Sequence, residues 1–486
     1  MADTTAQAPA HPAAGTTAPA PAPTPKQWIF NAFTMNTPGH LAAGLWRHPR
    51  NRSAHHNDIE YWTDLAKILE AGKFHGLFIA DVLGQYDVYK GPGNLEPGLA
   101  GAAQFPVSDP FMPISAMAAV TKHLTLGVTA STTYEAPYLL ARRFATLDHL
   151  TKGRIAWNVV TSYLLSAAEN LGLKDEIAHD ERYRMADEYM DVTYKLWEST
   201  WRDDAVARDV ETKQYTVPGR VRRINHEGKY YRSAGPLQVA PSIQRTPYLF
   251  QAGTSTAGKA FATKHAECLF LPGMTVESVR KSVQEIRALA AQQGRDPATI
   301  KMIMGVLIIV AETDALAQAK YEEYLTYADL EGSMTLFGGW TGSDLSQYGD
   351  DDDFQFAGPG AIRSMVSSWS ATIPGTDGVK WSKKRVAQEL AIGGAHVRAI
   401  GSPHTVADIL QHWVDETGVD GFNCSYAVNP GDFEDIINHL FPVLRARGVF
   451  WHDYAADTAR ENYLQDNAGP RLRPDHPGAK YKWPAE

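Results

Sequence analysis

Short apolar, β-branched runs alternate along the chain with stretches whose apolar positions recur every three or four residues. WIFNAFTM (28–35) predicts a strand, and NDIEYWTDLAKILEAGKF (57–74) predicts a helix closed by a Gly-containing turn. GLFIADVL (76–83) is the next strand, followed by PISAMAAVTKH (113–123) as helix and LTLGVTAST (124–132) as strand. APYLLARRFATLDHLTKGR (136–154) is helical up to Gly153, and RIAWNVVTS (154–162) follows it as a strand. HDERYRMADEYMDVTYKLWEST (179–200) predicts a helix with His179 or Asp180 near its cap. Four further strands are PYLFQAGTS (247–255), AECLFLPG (266–273), KMIMGVLIIVAET (301–313) and DGFNCSYAV (420–428).

That makes eight strands with helices between them. Helical crossovers return the chain to the same sheet edge, so the strands pair in parallel. The pattern predicts an α/β fold, a (β/α)8 TIM barrel with insertions, with a doubly wound open sheet as the alternative.

Three stretches break the rhythm: a Gly- and Pro-rich loop at 89–110, a hairpin-like region within 202–246, and a long insertion at 328–395. Structureless loops of that length are functional lids or disordered. The insertion carries Asp350 to Asp353, read as a solvated acidic loop because no spaced second ligand set accompanies it. Residues 1–26, rich in Ala, Pro and Thr, cannot bury enough surface to offset their ordering entropy and are expected to form a disordered tail. The barrel domain is placed at 27–465, with 466–486 as a C-terminal tail.

Composition narrows the class. The chain has 486 residues, 44 % apolar and 21 % charged, as a globular protein does. A formal charge of −9 without a basic stripe argues against a nucleic-acid partner. No apolar run reaches the roughly 18 residues of a membrane span. Cys268 and Cys424 are too few for a zinc cluster or disulfide framework and read as buried thiols. With neither a secretory signal nor a transit peptide legible at the start, a cytoplasmic location is the expectation.

In a barrel, every strand ends at one face and every following helix starts there. Phe33 to Asn36, Asp81, Thr129 to Thr133, Asn158, Thr161, Ser162, His179, Tyr183, Asn423, Ser425 and Tyr426 must therefore converge, together with QAGTSTAG (251–258). RIAWNVVTS raises a specific question, since a core strand carries Asn158 within it and ends in two hydroxyls. QAGTSTAG reads in two ways. Gly253, Gly258 and the hydroxyls of Thr254, Ser255 and Thr256 at a helix start suit a phosphate, or they form a capped start with glycines for tight packing. His179 and Tyr183, four apart, share a helix face, either as ligand contacts or as a surface pair. Asp81 either caps a turn or serves the site. No metal-ligand spacing, G-x-S-x-G or P-loop appears in the sequence.

Taken together, GKFHGLFIADVL (72–83), TASTTYEAPYLLARRFATLDHLTKGRIAWNVVTS (129–162), HDERYRMADEYM (179–190), GPLQVAPSIQRTPYLFQAGTSTAGKAFATKHAE (235–267), TGSDLSQY (341–348) and the stretch 419–464 resemble the flavin-dependent monooxygenases of the bacterial-luciferase superfamily. The likeness runs over 27–465 in order and is closest to the group with nitrilotriacetate monooxygenase, pristinamycin synthase and dibenzothiophene-sulfone monooxygenase. The resemblance implies a barrel that takes reduced FMN from a separate NAD(P)H-dependent flavin reductase. It also implies that Asp81, Thr129, Asn158, His179, Tyr183 and Ser255 contact the FMN. Reaction with O2 through a flavin C4a-(hydro)peroxide would then oxygenate a small organic substrate. His179 is the candidate for proton management, unless it only holds the phosphate or ribityl chain. The resemblance also implies a homo-oligomer and leaves the substrate open. The rivals are a deazaflavin-dependent dehydrogenase of the same fold and a non-catalytic flavin-binding protein.

Overall fold

Parallel pairing closes the sheet on itself in a computed structural model that describes residues 26–483 other than 254, 274, 359, 374, 375 and 377. The tail expected up to residue 26 lies, through residue 25, outside the described residues. Nine strands take part: β1 (Ile29–Met35), β2 (Gly76–Ala80), β3 (Thr125–Ser131), β4 (Ile155–Val160), β5 (Tyr248–Gln251), β6 (Cys268–Leu271), β7 (Lys301–Val310), β8 (Val397–Gly401) and β9 (Gly421–Ser425). β1 to β7 pair in sequence order, and β9 closes the ring between β7 and β1. These eight are the strands read from the sequence, each trimmed at its ends, so the fold is the expected TIM barrel. The ninth, β8, follows directly after the 328–395 insertion and was not read from the sequence. Its VRAIG run carries Arg398, which is charge-paired with Glu389, and among the described residues it pairs only with Val306–Val310 of β7.

Helices cover the outside, among them α1 (Ile59–Gly72), α2 (Pro137–Leu150), α3 (His179–Tyr194), α4 (Thr256–His265), α5 (Val276–Gln292), α6 (Asp314–Tyr327), α7 (Leu330–Thr341) and α8 (Pro403–Thr417). Two local expectations are corrected. α1 ends with Lys73, not a glycine, in the left-handed region at φ 72°. Gly72 is small for another reason: a Cβ there would stand 2.3 Å from Ile437. α3 begins at His179 after Ala178, with no side chain capping it, and its last turn widens into a π-helical segment, Lys195–Ser199.

The long insertion is not a loose loop. α7 and the helices Gly360–Thr372 and Lys383–Leu390 share a small apolar core with Phe337, Phe354, Trp369 and Trp381. Within its acidic run, Asp352 accepts a bond from the Gly349 N–H, and Asp353 accepts from the Gln355 and Trp381 N–H groups. The 202–246 region forms two short hairpins, Val206–Asp209 with Gln214–Thr216 and His226–Glu227 with Arg232–Ser233.

Inside the barrel, Phe33, Phe78, Phe250 and Phe270 meet edge to face or tilted, with centroids 5.2 to 6.4 Å apart. Below them the amino-terminal end of the barrel is plugged by the helix Ala459–Leu464. Tyr463 stacks on Tyr248 at 4.8 Å and bonds to Asn31. Arg460, wholly buried, grips Glu267 through two bonds of 2.6 and 2.8 Å. The segment after this plug is anchored outside the barrel, where His476 donates to the His265 carbonyl and Tyr481 meets Asp191. With the floor sealed and the helices on the outside, the open end is the one where the strands terminate.

Candidate active site

A chamber of about 670 Å³ opens at that end, within the size range of small-molecule and cofactor sites. Of the residues singled out from the sequence, Asp81, Thr129, Thr161, Ser162, His179, Tyr183 and Gly253 line it. Asn158 and Ser255 each bond to a residue that lines it, Asn158 to Thr129 and Ser255 to His179.

Asn158 settles what an amide does inside a core strand. Trp157 turns outward among the helices and donates to the Ala130 carbonyl, so the next residue must turn inward. Asn158 Nδ2 donates to Thr129 Oγ1 at 2.9 Å, and that hydroxyl donates in turn to the Ile79 carbonyl at 2.9 Å. The relay fixes the amide, leaving Oδ1 buried with no partner among the described residues. An orphaned acceptor at this depth is costly in an empty protein and fits a ligand N–H donor. The terminal hydroxyls belong to the rim. Ser162, in the left-handed region at φ 54°, bonds to Ser131 at 2.8 Å.

Asp81 leaves the end of β2 and faces the chamber. Burial, reinforced by the carboxylates of Asp109 and Glu135, pushes its carboxyl up to about 8. It is therefore a neutral acid at pH 7, able to donate as well as accept.

The QAGTSTAG turn satisfies both halves of the packing reading. Ser255 caps α4 by accepting the Gly258 N–H at 3.0 Å. Gly253 and Gly258 press on each other, and the Tyr183 hydroxyl sits between them. A Cβ would stand 2.6 Å from that oxygen at Gly253 and 2.8 Å at Gly258. Side-chain-free residues at both positions thus keep a phenol at a helix start, where free backbone N–H groups favour an anion. Thr254, the middle of the turn, lies outside the described residues. His179 stands beside this turn, 3.3 Å from Ser255 Oγ and 2.8 Å from Asp180, and its side chain is half exposed.

Among the lining residues not picked out from the sequence are Asp109, Glu135, Arg143 and Arg182. Arg182 is buried, with its Nε unpartnered, and Gln251 accepts the Gly253 N–H at 2.7 Å. A signal existed for Arg182, which lies three residues after His179 on the same helix face.

A second chamber of about 330 Å³ adjoins the first, and the two share Val82 and Ala252 as a wall. Phe33, His40, Tyr86, Phe270, Trp340 and His396 are among its lining residues.

Fold and site define a β/α-barrel enzyme whose paired chambers lie at the carboxyl ends of the strands. Residues 34–421 match the luciferase-like monooxygenase family, and the chain belongs to it. It is a flavin-dependent monooxygenase, as the sequence resemblance implied. The dimethyl-sulfide monooxygenase of Hyphomicrobium sulfonivorans is 48 % identical over 94 % of each chain. The long-chain alkane monooxygenase of Geobacillus thermodenitrificans is 48 % identical over 94 % of this chain and 98 % of its own. Nitrilotriacetate monooxygenase component A of Aminobacter aminovorans is 32 % identical over 86 % of this chain and 92 % of its own. The crystal structure of DmoA from Hyphomicrobium sulfonivorans superposes with a TM-score of 0.90, covering 94 % of this chain and 96 % of that one at 48 % identity.

Proposed function

We propose that this chain is the oxygenating component of a two-component system. It takes reduced FMN from a separate NAD(P)H:flavin reductase and uses O2 to oxygenate a small organic substrate. The observation that carries this reading is the pairing of an orphaned acceptor, Asn158 Oδ1, with a Tyr183 hydroxyl held at the start of α4. One is suited to a ring N–H and the other to a phosphate. A relative named component A supports the two-part arrangement.

In this reading Asn158, oriented by Thr129, accepts from the isoalloxazine, and the neutral carboxyl of Asp81 donates to it. Tyr183, Ser255, His179 and Arg182 hold the phosphate end. His179 fits this role better than proton management, because it stands at the exposed rim beside Ser255. The reduced flavin, when bound, supplies the activation of O2. The protein's own share is to orient the ring and exclude water, which the aromatic barrel wall and Trp340 of α7, in the lining of the second chamber, favour.

The test combines FMN titration by fluorescence quenching with O2 consumption and peroxide release, using a supplied reductase and NADH. Wild type is expected to bind FMN and to consume O2 in the presence of substrate without an equal release of peroxide. His179→Ala is expected to weaken FMN binding while keeping oxygenation coupled at saturating flavin. Wild-type protein that left FMN fluorescence unquenched would overturn the reading.

A further inference from the structure

The second chamber carries its own chemistry. Among the described residues no Lys, Arg, Asp or Glu lines it, although the neighbouring chamber is lined by carboxylates and arginines. Its walls include the aromatic faces of Phe33, Tyr86, Phe270 and Trp340, two imidazoles, His40 and His396, and Gln104, whose amide donates to the His40 carbonyl at 2.8 Å. Phe33 touches both imidazoles, with centroids 4.6 Å from His40 and 5.8 Å from His396.

His396 is held through its Nδ1, 3.0 Å from Ser425 Oγ, and that hydroxyl also lies 3.2 Å from the Val306 carbonyl. The ring lies over Gly305 of β7, where a Cβ would stand 2.5 Å from Nε2. A glycine in the middle of a barrel strand is thereby explained: it makes the seat of this imidazole. His40 is buried with Nδ1 unpartnered. Burial holds both rings far below the ordinary histidine range, His40 at about 3 and His396 at about 4, so neither supplies a cation near neutrality.

We infer that this chamber is the substrate's, that it selects an uncharged, largely apolar molecule over a carboxylate, and that His396, seated on Gly305, is a specificity-determining residue. An anion entering here would be stripped of water and find no lysine or arginine among the described lining residues. An apolar molecule meets aromatic faces and loses nothing. That the occupant is the oxygenated substrate rests on the flavin reading above. The selectivity itself does not depend on it.

The experiment is saturation-transfer NMR on the flavin-free full chain with toluene and benzoate, two probes of one ring that differ in charge. Wild type is expected to receive toluene at least about tenfold more tightly than benzoate, a gap of the size a desolvated charge imposes. His396→Lys places an ammonium in the chamber and is expected to reverse the preference. His396→Gln, neutral, is expected to keep it. Trp340→Arg adds a cation to the same chamber and carries the same expectation as His396→Lys, should that variant fail to fold by circular dichroism. Equal affinity of wild type for both probes, or an unchanged preference in the cationic variants, would overturn the inference. FMN titration of the same proteins is read separately. Absent quenching in wild type would remove the flavin reading while leaving the probe preference to be judged on its own.

Discussion

Asn158 donates its side-chain amide to the hydroxyl of Thr129, one strand away, at 2.9 Å. Because Thr129 passes its own proton to the Ile79 carbonyl, three neighbouring strands are tied at one level, and the Asn158 oxygen is aimed without freedom to flip. Thr129→Val is nearly isosteric yet strips both bonds from a buried site. It is expected to cost about 1–3 kcal/mol in chemical denaturation and to weaken FMN binding, since the amide loses its orientation. A variant with unchanged stability would show that the relay holds nothing.

Asp81 predicts a pH dependence. The folded chain keeps a proton on it up to about 8, whereas an unfolded carboxyl releases its proton near 3.8. Between those values the folded state binds the extra proton, so the contribution of Asp81 to stability falls as pH rises through the window. Asp81→Asn is expected to flatten this slope, gaining on wild type most at the alkaline end. Denaturation midpoints measured across the window check it.

Gly258 and Tyr183 are expected to be coupled. Gly258→Ala drives a methyl to within 2.8 Å of the Tyr183 hydroxyl and should lower FMN affinity roughly tenfold or more. With Tyr183→Phe the oxygen is gone, and adding Gly258→Ala to that background should cost much less than it does alone. Flavin titration of the four proteins decides the matter, additive losses counting against the arrangement.

Arg460→Met leaves Glu267 charged, buried and without its only guanidinium partner among the described residues. The expected loss is about 3–5 kcal/mol in denaturant unfolding, far from the site and with FMN affinity preserved in the folded fraction. Arg460→Met combined with Glu267→Leu should recover a large part of it.

The ring of eight strands was legible because each apolar run is set off by an amphipathic helix, and strand ends in such a ring converge whatever their spacing in the chain. Asp81, Thr129, His179 and Tyr183 were found on that ground. β8 was not, because Arg398 interrupts its run and its partner Glu389 lies in an insertion of unfamiliar pattern. Lys73 at a left-handed position was invisible for a related reason: the adjacent Gly72 advertises a turn but is demanded by Ile437, which lies far along the chain. Arg182 and Glu135 escaped notice because charged residues are common on helix faces and in loops. Only the chamber distinguishes them. His396 owes its meaning to Gly305 and Ser425, neither near it in the sequence.

The plug formed by Ala459–Leu464 has a consequence for biosynthesis. The first strand leaves the ribosome more than four hundred residues before the piece that seals its lower end. Until then Asn31, Tyr248 and Glu267 face an unfinished interior, and a nascent chain cannot complete its inner layer before that piece has emerged. Poor tolerance of any truncation that removes Ala459–Leu464 follows from that late arrival.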